Sequence, residues 1–280
     1  RGGEPPWGAL TGVRPVKIPT KAMLAGAGPA QAERLLRDTY RVTEGRRRLA
    51  MDCAGASLAA LRSLAPGEVS LYVGIPFCPT RCAYCSFVSA DVGRALKLID
   101  PFLDALCREL AATGAMLADA GLRVRTVYFG GGTPTALEAS DIERVIKAVR
   151  RYLPLANDCE ITYEGRLSGF GTDKMEAALA GGANRFSLGV QSFDTKIRQA
   201  VGRRSDKETL IRQLEKLMSY DQAAIVIDLI YGFPFQTLET WKEDLRIGRE
   251  LNLDGIDCYQ LRVFEKSPLY KYIQNGKLPP

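Results

Sequence analysis

Hydrophobic and polar positions follow two alternating patterns from about residue 70 to the end of the chain. Short runs rich in β-branched and aromatic residues predict six strands, at 70–75, 124–129, 159–164, 185–190, 224–230 and 255–261. Segments with apolar residues at helical spacing lie between the strands and predict helices at 99–120, 140–152, 172–180, 206–220 and 238–251. This alternation of strand and helix is typical of a parallel sheet covered by helices, so the predicted fold class is α/β.

The N-terminal part of the chain precedes this alternation and differs from it in charge. We expect a mostly helical extension over 1–68, after the loop "PWGALTGVRPVKIP", and the α/β domain over 69–280. Residues 1–50 contain ten Lys and Arg against four Asp and Glu, which accounts for the whole net charge of +6. The densest basic run, "GRRR" at 45–48, is either a solvated helix face or a surface for an acidic ligand.

The rest of the composition narrows the class of protein. No apolar run approaches the roughly 18 residues of a membrane-spanning helix, and the first residues are neither a signal peptide nor an initiator methionine. We therefore expect a piece of a longer cytoplasmic chain, with no membrane span and no nucleic-acid partner.

The unusual stretches of the sequence each follow a predicted strand. In parallel α/β folds the loops after the strands converge at one edge of the sheet, where the chemistry gathers. A scaffold protein has no reason to collect such stretches there, so the arrangement favours an enzyme. The stretches after the first five strands are "PFCPTRCAYC", "GGGTPT", "EGR", "QSFD" and "YGFP".

The cysteines are the strongest chemical signal, since the chain has seven of them and no histidine. Cys78, Cys82 and Cys85 crowd into one loop. A structural zinc site takes four ligands, and a redox CxxC pair does not require Cys78. A cubane iron–sulfur cluster on three thiolates leaves one iron open for another ligand, which would explain the missing fourth residue. The other cysteines stand alone and are interpreted as core or incidental residues: Cys53, Cys107, Cys159 and Cys258.

The spacing CxxxCxxC on the loop after the first strand of a β/α series resembles the radical S-adenosylmethionine (SAM) superfamily. The resemblance implies a partial six-step (β/α) barrel and a [4Fe–4S] cluster whose open iron binds the amino and carboxylate groups of SAM. Electron transfer then splits SAM and yields a 5′-deoxyadenosyl radical. Tyr84 matches the aromatic residue of the motif and would lie near the adenine.

Further motifs resemble the tetrapyrrole branch of that superfamily, the oxygen-independent coproporphyrinogen III oxidases and their HemW and HemZ relatives. These motifs are "LYVGIPFC", "FGGGTPT", "EGR", "GVQSFD" and "DLIYGFP". The resemblance implies that Glu164 and Arg203 hold the amino and carboxylate end of SAM, and that Gln191 and Asp228 hold its ribose hydroxyls. The other implied SAM-binding residues are Tyr72, Gly131, Gly132 and Thr133.

The branch implies a tetrapyrrole substrate but leaves the reaction open. The predicted function is a radical SAM oxidoreductase that decarboxylates coproporphyrinogen III propionates to vinyl groups in haem biosynthesis. From Glu160 onward the chain also resembles HutW-type enzymes, which methylate and open haem, and a HemW-like haem carrier is the third alternative. Phe87 and Gly74 occupy positions where the established oxidase has cysteine and histidine. The chain ends near the sixth strand, before the C-terminal region that in these families helps cover the substrate.

Two kinds of partner follow from this resemblance. The cluster implies an electron donor such as flavodoxin or ferredoxin. The tetrapyrrole carries propionates, which are anionic at neutral pH. We expect Arg14 and Lys17, in the glycine- and proline-rich N-terminal loop, to contact those propionates, because a loop can fold over a strand-end opening.

Overall fold

A computed structural model of the protein describes residues 4–10, 14–87 and 89–279. The chain divides into two compact units, one ending at Pro66 and the other beginning at Gly67. The first strand starts at Glu68, so the division lies two residues before the boundary expected from the sequence.

The N-terminal unit is helical, with α1 at Lys17–Leu24, α2 at Pro29–Arg34 and α3 at Glu44–Arg62. A π-helical turn, Leu35–Thr39, extends α2. The N-terminal loop ends earlier than predicted, because Lys17 begins α1 instead of lying in the loop. The next proline, Pro19, falls in the first turn of α1, where backbone N–H groups have no helical acceptor to lose.

A small apolar core holds this unit together. Leu36, Val42 and Ala50 are buried, and Trp7 and Ile18 pack against them. The core explains why so basic a segment folds into a compact unit, since its charged side chains lie around an apolar centre.

The "GRRR" run forms the first turn of α3 and is not uniformly solvated. Arg47 is half-buried, pairs with Glu33 and donates a hydrogen bond of 2.7 Å to the Val42 carbonyl. The Arg46 guanidinium lies 5.6 Å from the centre of the Trp7 ring. Two of these three arginines therefore help to fix the N-terminal unit.

The second unit contains the predicted parallel sheet. In chain order the strands are β1 at Glu68–Ile75, β2 at Phe77–Cys78, β3 at Ala90–Asp91, β4 at Arg123–Gly131, β5 at Leu155–Gly165, β6 at Arg185–Gln191, β7 at Ala224–Tyr231 and β8 at Gly255–Gln260. Six of them form one all-parallel sheet in the order β1-β4-β5-β6-β7-β8. This confirms the α/β class and the six-step partial barrel. The two-residue strands β2 and β3 pair separately and were not predicted.

Helices follow each long strand. They are α4 at Val92–Asp119, α5 at Ala139–Tyr152, α6 at Thr172–Gly181, α7 at Thr195–Ala200, α8 at Lys207–Met218, α9 at Leu238–Glu250 and α10 at Pro268–Gln274. The helix predicted at 99–120 begins seven residues earlier, at Val92, and Pro101 lies inside it. Ala95, in the first turn of α4, is buried.

The two faces of the sheet differ in polarity. The face against the helices is apolar and buried, with Ile75, Val127, Phe129, Ile161, Leu188 and Ile227. The opposite face carries Tyr72, Tyr128, Glu164, Asp228 and Asp257 near the carboxyl ends of the strands. In register, Tyr72 lies beside Tyr128, and Asp228 lies beside Asp257. Alternation along the strands thus sends the core to one side and polar side chains to the other.

None of the helices in the described ranges is long and apolar enough to cross a membrane.

Candidate active site

The three crowded cysteines lie on the segment 76–87, here called the cluster loop. Cys78 and Cys82 are buried, Cys85 is half-buried, and all three are free thiols. The Cys78 sulfur lies 3.3 Å from the Thr133 hydroxyl oxygen. Burial raises the pKa of Cys85, and the neighbouring Cys82 and Cys78 thiols add to this effect, while a backbone hydrogen bond at Phe87 opposes it. In the part of the chain that is described, no three Cys, His, Asp or Glu side chains converge as a single metal ion would require.

Contacts from several elements fix the cluster loop. Arg166, at the end of β5, donates hydrogen bonds to the Cys82 sulfur at 3.1 Å and to the Thr80 carbonyl at 2.8 Å. The Ala83 backbone donates to Val201, and its carbonyl accepts from Leu269 in α10, at 3.2 and 2.9 Å. The cluster loop is therefore anchored near the ends of β5 and β8, the third and sixth strands of the large sheet.

The glycine motif after β4 packs directly on the start of the cluster loop. Gly132 N–H donates to the Ile75 carbonyl at 2.7 Å, and Thr133 N–H donates to the Phe77 carbonyl at 2.8 Å. A Cβ on Gly132 would lie 2.6 Å from the Phe77 carbonyl oxygen, and Gly131 has φ of +109°. The glycines are thus required by the close approach of the cluster-loop backbone, whether or not they also contact SAM.

Two carboxyl groups, those of Glu164 on β5 and Asp228 on β7, lie on the polar face of the sheet. Burial first, and then the nearby Asp228, raise the pKa of Glu164 to about 7 against the opposing effect of a hydrogen bond from Tyr128. Burial and then Asp257 raise the pKa of Asp228 to about 6. The Tyr72 hydroxyl and the Glu164 carboxylate both border Gly130, where a Cβ would lie within 2.7 Å of each. These acids are therefore placed to accept donors from a ligand.

Gln191, the last residue of β6, has a strained backbone and an incomplete hydrogen-bond set. Its φ is +72°, a region that side chains other than glycine, Asn and Asp seldom adopt. Its Oε1 atom is buried and has no hydrogen-bond partner among the described residues. The fully buried Arg198 donates to the carbonyls of Val190 and Ser192 on either side, which holds the strained conformation in place. A buried acceptor without a donor is costly unless a ligand supplies one.

Arg203 connects the loop after β6 to the cluster loop. Its guanidinium donates to the Tyr84 hydroxyl from Nε at 3.1 Å and from Nη2 at 3.0 Å, and to the Gly189 carbonyl from Nη1 at 2.5 Å. The Tyr84 ring packs edge-on against Phe233 with the centroids 5.3 Å apart. Burial raises the pKa of Tyr84 to about 12, opposed by Arg203, so the hydroxyl stays protonated.

The structure brings all twelve of the predicted site residues to the carboxyl edge or the polar face of the sheet. None of the ion pairs in the described chain includes Glu164, Arg203 or Asp228. The four single cysteines lie elsewhere: Cys53 in α3, Cys107 in α4, Cys159 in β5 and Cys258 in β8.

Sequence reasoning missed several residues that shape the site. Arg166 stood in the noted motif "EGR", and its place beside a cysteine-bearing loop could have suggested a contact. Arg198 and Asp244 gave no such signal. Asp244 is buried and accepts from the Ser192 hydroxyl at 2.8 Å and from the Phe193 N–H at 2.7 Å. It therefore stiffens the "QSFD" turn from a helix far along the chain.

These residues fit the two groups that the motif implies. Three free thiols on one anchored loop suit a cluster with an open iron. The acids Glu164 and Asp228 suit an ammonium and hydroxyl groups, while Arg203 suits a carboxylate. The buried Gln191 Oε1 atom has no hydrogen-bond donor in the described chain, which leaves a position for a donor from a ligand.

The fold and this site define a class of protein that generates radicals from SAM. Compared with known families, residues 72–247 match the Radical SAM superfamily. The chain belongs to that superfamily, whose cofactors are a [4Fe–4S] cluster and SAM.

Three known proteins illustrate what this chain is similar to. It is 43% identical over 216 residues to the anaerobilin synthase of Escherichia coli O157:H7, a match covering 77% of this chain and 48% of the relative. It is 31% identical over 279 residues to the oxygen-independent coproporphyrinogen-III oxidase-like protein HemZ of Bacillus subtilis (strain 168), covering 97% and 56%. The solved structure of coproporphyrinogen III oxidase (HemN) from Escherichia coli matches with a TM-score of 0.69 and 31% identity, covering 81% and 52%. The chain thus spans about half the length of these relatives.

Proposed function

We propose that this chain forms the catalytic barrel of a radical SAM enzyme that acts on a tetrapyrrole. The observation that carries the proposal is the meeting of three free thiols, two carboxyl groups and an unpartnered glutamine oxygen at one end of the sheet. The tetrapyrrole is supported by the names of the relatives, which concern anaerobilin and coproporphyrinogen.

The proposed roles follow from the chemistry of each side chain. Cys78, Cys82 and Cys85 hold the cluster, and Glu164 accepts hydrogen bonds from the amino group of SAM. When bound, the cluster and SAM supply the electron and the deoxyadenosyl radical for hydrogen abstraction.

Arginine and polar residues hold the remainder of SAM. Arg203 binds the SAM carboxylate through its guanidinium group. Gln191 and Asp228 bind the ribose hydroxyls, which would complete the hydrogen-bond set of the Gln191 amide. Tyr84, next to Cys85 and packed on Phe233, lies beside the adenine.

The other predicted residues shape the walls of the site. Tyr72 stacks on Tyr128 at 5.9 Å between ring centres and borders the Glu164 carboxylate. Gly131, Gly132 and Thr133 bring the backbone after β4 close to the SAM amino group.

Two reactions on the tetrapyrrole are candidates. The sequence prediction was oxidative decarboxylation of coproporphyrinogen III, and the likeness to the HemN structure supports it. The higher identity to anaerobilin synthase, a haem-degrading enzyme, favours haem methylation and ring opening instead. Phe87, 69% exposed, and Gly74 depart from the oxidase pattern, so we place haem opening first.

The proposal includes a one-electron donor such as flavodoxin or ferredoxin and a cytoplasmic location. Both follow from the cofactor, since the cluster needs a reductant and free thiols persist in a reducing compartment.

The deciding experiment is product analysis after anaerobic reconstitution of the cluster. The protein receives SAM and a chemical reductant with either haem or coproporphyrinogen III, and products are identified by mass spectrometry. A methylated linear tetrapyrrole from haem supports the first candidate, and a vinyl-bearing product from coproporphyrinogen III supports the second. Haem binding without SAM consumption in either reaction would contradict enzymatic function and favour a haem carrier.

A further inference from the structure

Phe235 lies in a turn that would ordinarily contain glycine. The backbone of this phenylalanine has φ of +67°. The turn runs from Phe233 to Gln236, with Pro234 second, and is closed by a hydrogen bond of 3.0 Å from the Gln236 N–H to the Phe233 carbonyl. A turn with proline second and a positive φ third favours glycine or asparagine at the third position. A bulky apolar residue in this region is an outlier that often marks a functional constraint.

The surrounding loop, residues 231–236, holds the strained phenylalanine rigidly. The Gln236 side chain accepts from the Gly232 N–H at 2.6 Å and the Phe233 N–H at 3.2 Å, and donates to the Ile230 carbonyl at 3.2 Å. Despite this fixation the Phe235 side chain is 43% exposed. The chain therefore strains its backbone to present an aromatic ring to solvent, which packing of the core does not explain.

A cation lies directly over that ring. The Lys196 ammonium is 4.9 Å from the centre of the Phe235 ring. Lys196 lies in α7, which follows β6, and Phe235 lies in the loop after β7. Lys196 is exposed, and none of the ion pairs in the described part of the chain includes it. The pair thus offers an apolar aromatic surface next to an available positive charge.

The pair lies at the same sheet edge as the candidate active site. Phe233, two residues before Phe235, contacts the Tyr84 ring of the cluster loop and packs with Ile197, the residue after Lys196. Another exposed aromatic side chain, Tyr231, ends β7 at this edge.

We propose that Phe235 and Lys196 form a binding subsite for the substrate, in which the ring contacts the flat apolar macrocycle and the ammonium binds one of its carboxylates. This inference rests on the proposed function, because it takes the tetrapyrrole as the ligand. Haem, the first candidate substrate, is a planar macrocycle with carboxylates at its rim and matches a ring and a cation held side by side.

The test is a binding titration on the full 280-residue chain. Coproporphyrin III, a fluorescent analogue with carboxylates, and its uncharged tetramethyl ester are titrated separately into the parent protein and its variants. Lys196→Gln should weaken the binding of coproporphyrin III about tenfold, the scale of a lost hydrogen bond to a charged group. The same variant should bind the ester as tightly as the parent does. Phe235→Gly should weaken both ligands without lowering the thermal midpoint, since glycine suits the positive φ.

Lys216→Gln is the matched control. The Lys216 ammonium also lies over an aromatic ring, 4.5 Å from the centre of Tyr220, but at the C-terminal end of α8. Helices of a parallel sheet run opposite to its strands, so that end is remote from the carboxyl edge. This variant should bind coproporphyrin III as the parent does.

Separate outcomes test the subsite and the proposed function. Parent-like binding of coproporphyrin III by both Lys196→Gln and Phe235→Gly would overturn the subsite and leave the tetrapyrrole intact. Failure of the parent chain to bind coproporphyrin III or haem would overturn the tetrapyrrole substrate and the subsite with it. Equal weakening by Lys196→Gln and Lys216→Gln would show a general charge effect and also overturn the subsite.

Discussion

Arg203 donates two hydrogen bonds to the hydroxyl of Tyr84, a residue 119 positions earlier in the chain. This contact ties the proposed SAM carboxylate ligand to the loop that carries the cysteines. In the proposed roles both groups have to be placed together, because the cluster and Arg203 would hold the same SAM molecule.

The first prediction tests that connection. Tyr84→Phe removes both hydrogen bonds but keeps the ring that packs on Phe233, so the fold and the iron content should not change. SAM affinity should fall by about 1 kcal/mol, the usual scale of a hydrogen bond, because Arg203 loses its orientation. Isothermal titration of SAM into reconstituted protein measures this. As a control, Tyr220→Phe removes an exposed hydrogen bond of 2.9 Å to Glu176 and should not change SAM affinity. An unchanged SAM affinity in Tyr84→Phe would refute the idea that Tyr84 positions Arg203.

The second prediction concerns the cluster. Reconstituted protein should hold about four irons and four sulfides, with one iron whose spectrum changes when SAM is added. Replacing Cys78, Cys82 or Cys85 with alanine should abolish the cluster, as measured by iron analysis and electron paramagnetic resonance.

The single cysteines provide the controls for that experiment. Alanine at Cys53 or Cys258, which are exposed, should preserve the full iron content. If either proved as necessary as the three loop cysteines, the argument from an open iron would be wrong.

The third prediction separates Asp228 from its neighbour on the next strand. Asp228→Ala should keep the iron content and weaken SAM binding by roughly 1.5–3 kcal/mol, the scale of a hydrogen bond to a charged group. Asp257→Ala removes the carboxylate paired in register with Asp228 and should change SAM affinity little when measured at pH 8. Equal losses in the two variants would remove Asp228 from its proposed role, and loss of folded protein would show a structural role.

The fold was predictable because each long strand and helix has its own period of apolar residues. The β/α order and the strand-end motifs therefore predicted that the candidate site residues lie at one edge of the sheet. The short strands β2 and β3 and the six-residue α7 lack enough residues to show a period. The early start of α4 depends on tertiary burial of Ala95, which local sequence does not encode.

The chemistry of the site was predictable only where a motif carried it. Nothing near Gln191 in the sequence reveals that its backbone is left-handed, or that Arg198 and Asp244 hold it there. The same is true of Phe235, since a proline-initiated turn with phenylalanine in the glycine position is visible only from the dihedral angle. Long-range contacts and strain are properties of the fold, so they escape analysis of local patterns.

The fourth prediction concerns the basic N-terminal unit. Arg14 and Lys17 are exposed and close in sequence at the start of α1. The double variant Arg14→Ala with Lys17→Ala should weaken binding of haem or coproporphyrin, more so at low salt, because exposed charges are screened by ions. SAM binding and iron content should stay the same. Titrations at two ionic strengths decide this. Equal tetrapyrrole affinity in variant and parent would show that these two basic residues do not contribute to tetrapyrrole binding.

The last prediction is a pH dependence of SAM binding that originates in Glu164. Burial raises the pKa of this carboxyl to about 7, so the ionised form that accepts an ammonium is complete only above that pH. SAM affinity should therefore fall by up to about tenfold per pH unit as the pH drops below 7. Asp228, with its pKa raised to about 6, makes the loss steeper at lower pH.

The stability of the SAM-free protein should show the opposite dependence on pH. A carboxyl whose folded pKa exceeds the ordinary value of 4.5 binds its proton more tightly when folded, so the free energy of unfolding declines from pH 4.5 to 7. Glu164→Gln should bind SAM weakly at pH 8 and lose most of the dependence between pH 6 and 8. Retention of the parent profile in that variant, measured by titration calorimetry, would show that another group controls SAM binding.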